Sequence, residues 1–224
     1  WAHSGGPDAL LEIIKSPAGR KELAKTLAPR AATWHDVWLT YFKQPHNRRW
    51  EGRSVADFLE ASGKSDIDAL CDLLIEEDLQ TSYAAYQNNL VTMPAFLRHP
   101  LCMVGTDGLL LGDHPAPRTY ASFPYILGSL VREEGLLSLT DAIRKMTSAP
   151  AQRLGLRDRG TLGNGASADI VVFDPATVGS PATIHEPRQF PTGIDYVIVN
   201  GSIAVDHGEH SGTLAGRALR RGKD

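Results

Sequence analysis

Leu101-Cys102-Met103-Val104-Gly105-Thr106-Asp107-Gly108 places a short, mostly apolar run before a glycine, a hydroxyl and a carboxylate. A continuous apolar run that stops at Gly suits a strand buried on both faces, as in a parallel sheet. In a β/α barrel, a polar residue at the C-terminal end of such a strand points into the active-site mouth. Asp107 is therefore a candidate functional carboxylate, and an Asp that caps the following turn is the competing reading.

Downstream, Phe123, Ile126, Leu127, Leu130 and Val131 recur at the spacing of an amphipathic helix. Ser138-x-x-Asp141 opens another helix carrying Ala142, Ile143 and Met146, and Ala149 to Leu154 adds a last turn closed by Gly155. From Gly160 the character becomes β. Ile170 to Phe173 reads as a strand, and Val197–Val199 and Ile203–Val205 flank Asn200-Gly201, a strong hairpin signal.

Upstream, the first ninety or so residues read as helical. Pro7 to Ile14 gathers Leu10, Leu11, Ile13 and Ile14 on one face, and Ser16-Pro17 opens a helix with Leu23, Ala24 and Leu27, ended by Pro29. Ser54-x-x-Asp57 and Ser65-x-x-Asp68 resemble capping boxes, with Gly63 a stop between them. The apolar cluster Trp34, Val37, Trp38, Tyr41 and Phe42 fits strand or helix equally. Leu79 to Tyr86 reads as a polar strand, and Thr92 to Arg98 as a short helix. One β/α unit cannot bury both faces of its strand, and two or three strands cannot close a sandwich. The fold expected is α/β and part of something larger.

A net charge of −3 gives no electrostatic case for nucleic acid or an anionic membrane as partner. The basic end, Arg217 to Lys223, is short and reads as a solvated tail. No run approaches a membrane span, and the polar, Gly-rich start at Trp1 does not read as a signal peptide, so a cytoplasmic location is expected. Cys71 and Cys102 sit in apolar surroundings and read as reduced core residues. Absence of Met at position 1 gives the expectation of a trimmed or incomplete chain.

One ordered set of motifs runs along the chain. It comprises Gly-Thr-Asp-Gly at 105–108, His114-Pro115-Ala116-Pro117-Arg118, Phe123-Pro124, Glu133-Glu134-Gly135, Arg144-Lys145-Met146-Thr147-Ser148, Ala168-Asp169-Ile170-Val171-Val172-Phe173-Asp174 and Val199-Asn200-Gly201. This set resembles the C-terminal part of the N-acyl-D-amino-acid deacylases (D-aminoacylases) of the amidohydrolase superfamily. The resemblance runs from Trp1-Ala2-His3-Ser4-Gly5-Gly6 to Gly216-Arg217 and is densest from His99 to Asp174. Thr106 stands where the family usually has Ser, which keeps the hydroxyl.

The resemblance implies the last part of a metal-dependent TIM-type β/α barrel with a helical insertion, followed by a small β-sandwich, the barrel being incomplete in this chain. Residues 1–6 would be a barrel remnant and 7–90 a mostly helical, lid-like insertion. Residues 91–158 would hold the last barrel strand and its helices, and 159–224 part of the sandwich and a C-terminal tail. The implied reaction is hydrolysis of an N-acyl-D-amino acid with one or two zinc ions in the complete enzyme. Asp107 would be the catalytic carboxylate, close to or on the metal. Arg118 would take the substrate α-carboxylate, a task suited to a planar, bidentate guanidinium. His114 would serve the same substrate side by orienting that loop.

A zinc site needs several His, Cys or carboxylate ligands at workable spacing. The His-x-His pair that opens such barrels is absent, and His35, His46, His99, His185, His207 and His210 read as structural or solvated. Asp169 and Asp174 also match the family, as brackets of a sandwich strand. Most metal ligands are thus expected outside this chain. The expected partners are a missing N-terminal barrel portion or a partner chain, or a second copy in a homo-oligomer. Competing readings are a cyclic-amide hydrolase of the dihydropyrimidinase or dihydroorotase kind, and a chain inert by itself.

Overall fold

A computed structural model describes residues 2, 4–85 and 91–219. Parts of the expected barrel remnant (1 and 3), the end of the insertion (86–90) and the tail beyond 219 lie outside the described residues. The chain divides into two compact units. The first falls within 1–88, 109–116 and 184–187, and the second within 89–108, 117–183 and 188–224.

The first unit begins with helices α1 (Gly6–Lys15) and α2 (Pro17–Leu27), and a 3-10 stretch then runs to Asp36. Strand β1 (Val37–Phe42) pairs antiparallel with β2 (Thr81–Ala85), with a register shift between Leu39 and Tyr41. That pairing decides the cluster at 34–42, which local pattern left open. Helices α3 (Val55–Ser62) and α4 (Asp66–Glu76) lie between the two strands in sequence. At Ser54 the expected capping box is complete. Its hydroxyl accepts the Asp57 N–H at 3.1 Å and the Asp57 carboxylate accepts the Ser54 N–H at 3.0 Å. Gly63 closes α3 in the left-handed region, at φ 65°. At Ser65 only the hydroxyl half of the box forms, accepting the Asp68 N–H. The unit's core is Leu39, Phe42, Val55, Leu59, Ala69 and Leu73.

Arg20 ties three helices together. Its Nε donates to the Ile14 carbonyl at 2.7 Å, Nη1 to Asp68 at 2.9 Å and Nη2 to Asp72 at 2.6 Å. Hydrogen bonds hold both carboxyls below their ordinary range, chiefly from Lys64 and then Arg20 for Asp72, and from Ser65 and then Arg20 for Asp68. A carboxyl depressed in the folded state stabilises above its unfolded pKa, near about 4, and that stability is lost as pH falls through the lower folded value. Helical circular dichroism should therefore fall as the pH drops below about 4. In Asp72→Asn that fall should be shallower, and a curve parallel to wild type would contradict the role given to this pair.

The second unit carries α5 (Thr92–Arg98) and α6 (Arg118–Tyr125), which runs on into a π-helical stretch, Ile126–Glu133. Pro124 has no N–H to donate to the preceding turn, which loosens the ladder there. The expected stripe therefore buries Ile126, Leu127 and Leu130, while Phe123 remains 37% exposed. Then come α7 (Leu139–Met146), capped by Ser138 as expected, and α8 (Ser148–Leu154), closed by Gly155 at φ 78°. Strands β3 (Ile170–Phe173), β4 (Ile194–Val199), β5 (Ser202–Asp206) and β6 (Glu209–His210) form one antiparallel sheet in chain order. Asn200 (φ 48°) and Gly201 (φ 83°) make the tight turn between β4 and β5. The core joins Ile126, Leu127, Leu130, Leu136, Ala142 and Val178.

Among the described residues the run 101–105 pairs with no strand in a ladder, and Leu101 is 79% exposed. A doubly buried strand needs neighbours on both edges, and the described strands supply neither. Its main chain is held by α7 instead, with the Val104 N–H donating to the Lys145 carbonyl at 3.0 Å.

Candidate functional site

Asp107 and Arg118 both belong to the second unit, and the structure brings them together. Pro117 precedes Arg118, the first residue of α6. From there the Arg118 Nη2 donates to the Asp107 Oδ2 at 2.9 Å. Gly108 permits the approach, since a Cβ there would stand 3.1 Å from the Thr119 Cα, Cγ2 and Oγ1. Both charged side chains are open to water, at 61% for Arg118 and 76% for Asp107. An exposed pair of this kind contributes at most about 1 kcal/mol, so either partner can exchange it for a stronger contact.

His114 lies in the first unit, with its ring against Gly52. A Cβ at Gly52, whose φ is +77°, would come within 2.6 Å of the His114 Cδ2. Its Nδ1 is buried and has no hydrogen-bond partner among the described residues. The loop carrying it is tied to the buried Glu51, whose Oε2 accepts the Asp113 N–H at 2.6 Å. No sequence signal marks Glu51, because its partner is distant in the chain.

The other polar residues singled out from sequence serve structure. His46 meets Glu76 at 2.6 Å, His185 stacks edge-on against Trp38, and His207 bonds the Tyr196 hydroxyl at 2.6 Å. Asp169 accepts from Arg159 and from the Asn200 N–H, and Asp174 accepts the Ala176 N–H. Cys71 is buried, and burial pushes its thiol pKa up; Cys102 is half-buried, and both are free. Among the described residues no group of three or more His, Cys, Asp or Glu could hold a metal ion. Asp107, paired with a guanidinium, is one carboxylate and not a metal centre by itself.

The geometry is thus one accessible carboxylate paired with one accessible guanidinium. The chain belongs to the amidohydrolase family, whose model matches residues 23–205. It is 37% identical over 220 residues to an N-acyl-D-glutamate deacylase of Alcaligenes xylosoxydans xylosoxydans, covering 98% of this chain and 43% of that protein. It is also 37% identical over 171 residues to a D-aminoacylase of the same organism, across 76% of this chain and 34% of the relative. A solved N-acyl-D-glutamate deacylase of Bordetella bronchiseptica, complexed with zinc and a phosphonate mimic of the tetrahedral intermediate, superposes with a TM-score of 0.71. That match has 36% identity and covers 79% of this chain and 36% of the solved one. The chain thus spans less than half the length of these relatives, and its α/β fold is shared with the corresponding part of them.

Proposed function

We propose that this chain supplies the C-terminal portion of an N-acyl-D-amino-acid deacylase, with Asp107 as general acid–base and Arg118 as the clamp on the substrate α-carboxylate. The observation that carries the reading is the Arg118–Asp107 pair at 2.9 Å, open to solvent. Water attacks the acyl carbon, and Asp107 takes its proton. When the C–N bond breaks, Asp107 passes that proton to the leaving amine nitrogen. The products are a carboxylate and a D-amino acid.

Arg118 leaves Asp107 for the substrate. The exposed pair it gives up is worth at most about 1 kcal/mol, whereas a charge-assisted contact to a bound carboxylate gives about 1.5–3 kcal/mol. For the zinc named in the solved relative, Asp107 would lie close to or on the metal, and most of the other ligands are assigned outside this chain.

In the same proposal the run 101–105 becomes the last barrel strand once neighbouring strands cover it. The mostly helical described residues 7–85 belong to the expected insertion, and the described residues 159–219 contribute to a β-sandwich. The neighbours come from the portion of the relatives that this chain does not span, in the same polypeptide or in a partner chain. The exposure of Leu101 supports such a partner.

The test is a substrate panel on the complete enzyme, with this chain alone beside it. N-acyl-D-amino acids should be hydrolysed by the complete enzyme, while their L-enantiomers and dihydroorotate should not. Hydrolysis of dihydroorotate without any of the D-substrates would move the assignment to a cyclic-amide hydrolase. The chain alone should carry well under one zinc per molecule by elemental analysis and show no deacylation. Tight, stoichiometric zinc would overturn the assignment of the ligands to another part of the enzyme.

A further inference from the structure

We propose that Lys145 is a positioning residue for Asp107, acting through the main chain of residues 99–104; the inference rests on the assignment of proton transfer to Asp107. Lys145 lies on α7 beside Ala142, on its buried side, and its side chain is fully buried. Its ammonium donates to the His99 carbonyl at 2.6 Å and to the Cys102 carbonyl at 3.3 Å. The Asp141 carboxylate, one helical turn back, faces it at 3.7 Å. Its own carbonyl accepts the Val104 N–H at 3.0 Å. Next to it, Arg144 donates to the Pro100 carbonyl at 3.1 Å and to Asp141 at 2.9 Å.

One helix end therefore grips the run 99–104 at its carbonyls and at an N–H. No strand ladder does so among the described residues. Val104 is three residues before Asp107, so the last grip lies within about 10 Å of chain from the carboxylate. Burying an ammonium is costly unless it is paired and hydrogen-bonded. An apolar side chain of similar length could fill the same space without that cost, but it could not bind two carbonyls. What the buried charge adds is a fixed path for the main chain that ends at Asp107. Proton transfer depends on that carboxylate standing in one place, since small misplacements of reacting groups cost rate steeply.

The test compares Lys145→Met with wild type in two ways: steady-state kinetics of the complete enzyme, and amide hydrogen exchange of the full 224-residue chain. The expected result is a kcat at least tenfold lower with KM within twofold. Exchange should quicken over 102–107 and stay unchanged over β3 to β6. Wild-type kcat with wild-type exchange over 102–107 overturns the proposal. So does a loss of protection spread evenly over α7 and the sheet, which is what a merely structural role gives. Asp107→Asn, measured in parallel, separates this from the reading beneath it. If that variant stays active the proton-transfer assignment falls, and exchange confined to 102–107 in Lys145→Met still decides whether Lys145 holds the run. Should Lys145→Met not fold, the half-exposed Arg144→Gln tests the same grip. It should lower kcat at least threefold and quicken exchange over 100–104, and wild-type values for both would overturn the proposal.

Discussion

Asp107→Asn in the complete enzyme should abolish turnover and leave the fold intact. An amide side chain can neither take a proton from the attacking water nor hand one to the leaving amine. Loss of general acid–base help costs about a hundred- to ten-thousandfold in rate. The fold should survive because the Asp107 side chain is 76% exposed and its pair with Arg118 is open to water. Removing such a pair costs at most about 1 kcal/mol. The measurements are kcat on an N-acyl-D-amino acid and a thermal melt. A kcat within tenfold of wild type would remove Asp107 from the chemistry.

Arg118→Ala should act on binding. Losing a charge-assisted contact of about 1.5–3 kcal/mol should raise KM roughly ten- to hundredfold while kcat changes little. An analogue without the α-carboxylate separates the two residues. On it, Arg118→Ala should match wild type, and Asp107→Asn should remain inactive. If Arg118→Ala weakens both substrates equally, its guanidinium serves the loop and not the substrate.

Local devices were legible in the sequence because their partners lie within a few residues. The Ser54 box, the Gly63 and Gly155 stops and the Asn200-Gly201 turn all took the expected form. The 34–42 cluster was not legible, since a strand there depends on pairing with Thr81–Ala85, about forty residues away. The run 101–105 has the composition of a buried strand, yet a strand also requires neighbours. Asp107 and Arg118 were singled out through the motifs they sit in, and the structure pairs them at 2.9 Å, a contact that no local pattern reports. Glu51 and Lys145 escaped because each works on main-chain groups far along the sequence, which no periodicity reports. Lys145 did leave a trace: it stands three residues after Ala142, on the face that an amphipathic α7 would turn inward.

The assignment of 109–116 to the first unit has a consequence for Asp107 and Arg118. These residues flank that segment on either side in the chain, yet both belong to the second unit. The segment runs between them in the chain and is held within the first unit, where the Asp113 N–H donates to the Glu51 carboxylate at 2.6 Å. Asp107 and Arg118 thus stand at either side of an excursion of the chain, two residues from its start and two from its end. Nor can the two units be parted by one cut, because the chain leaves the second unit and returns to it at 109–116 and again at 184–187.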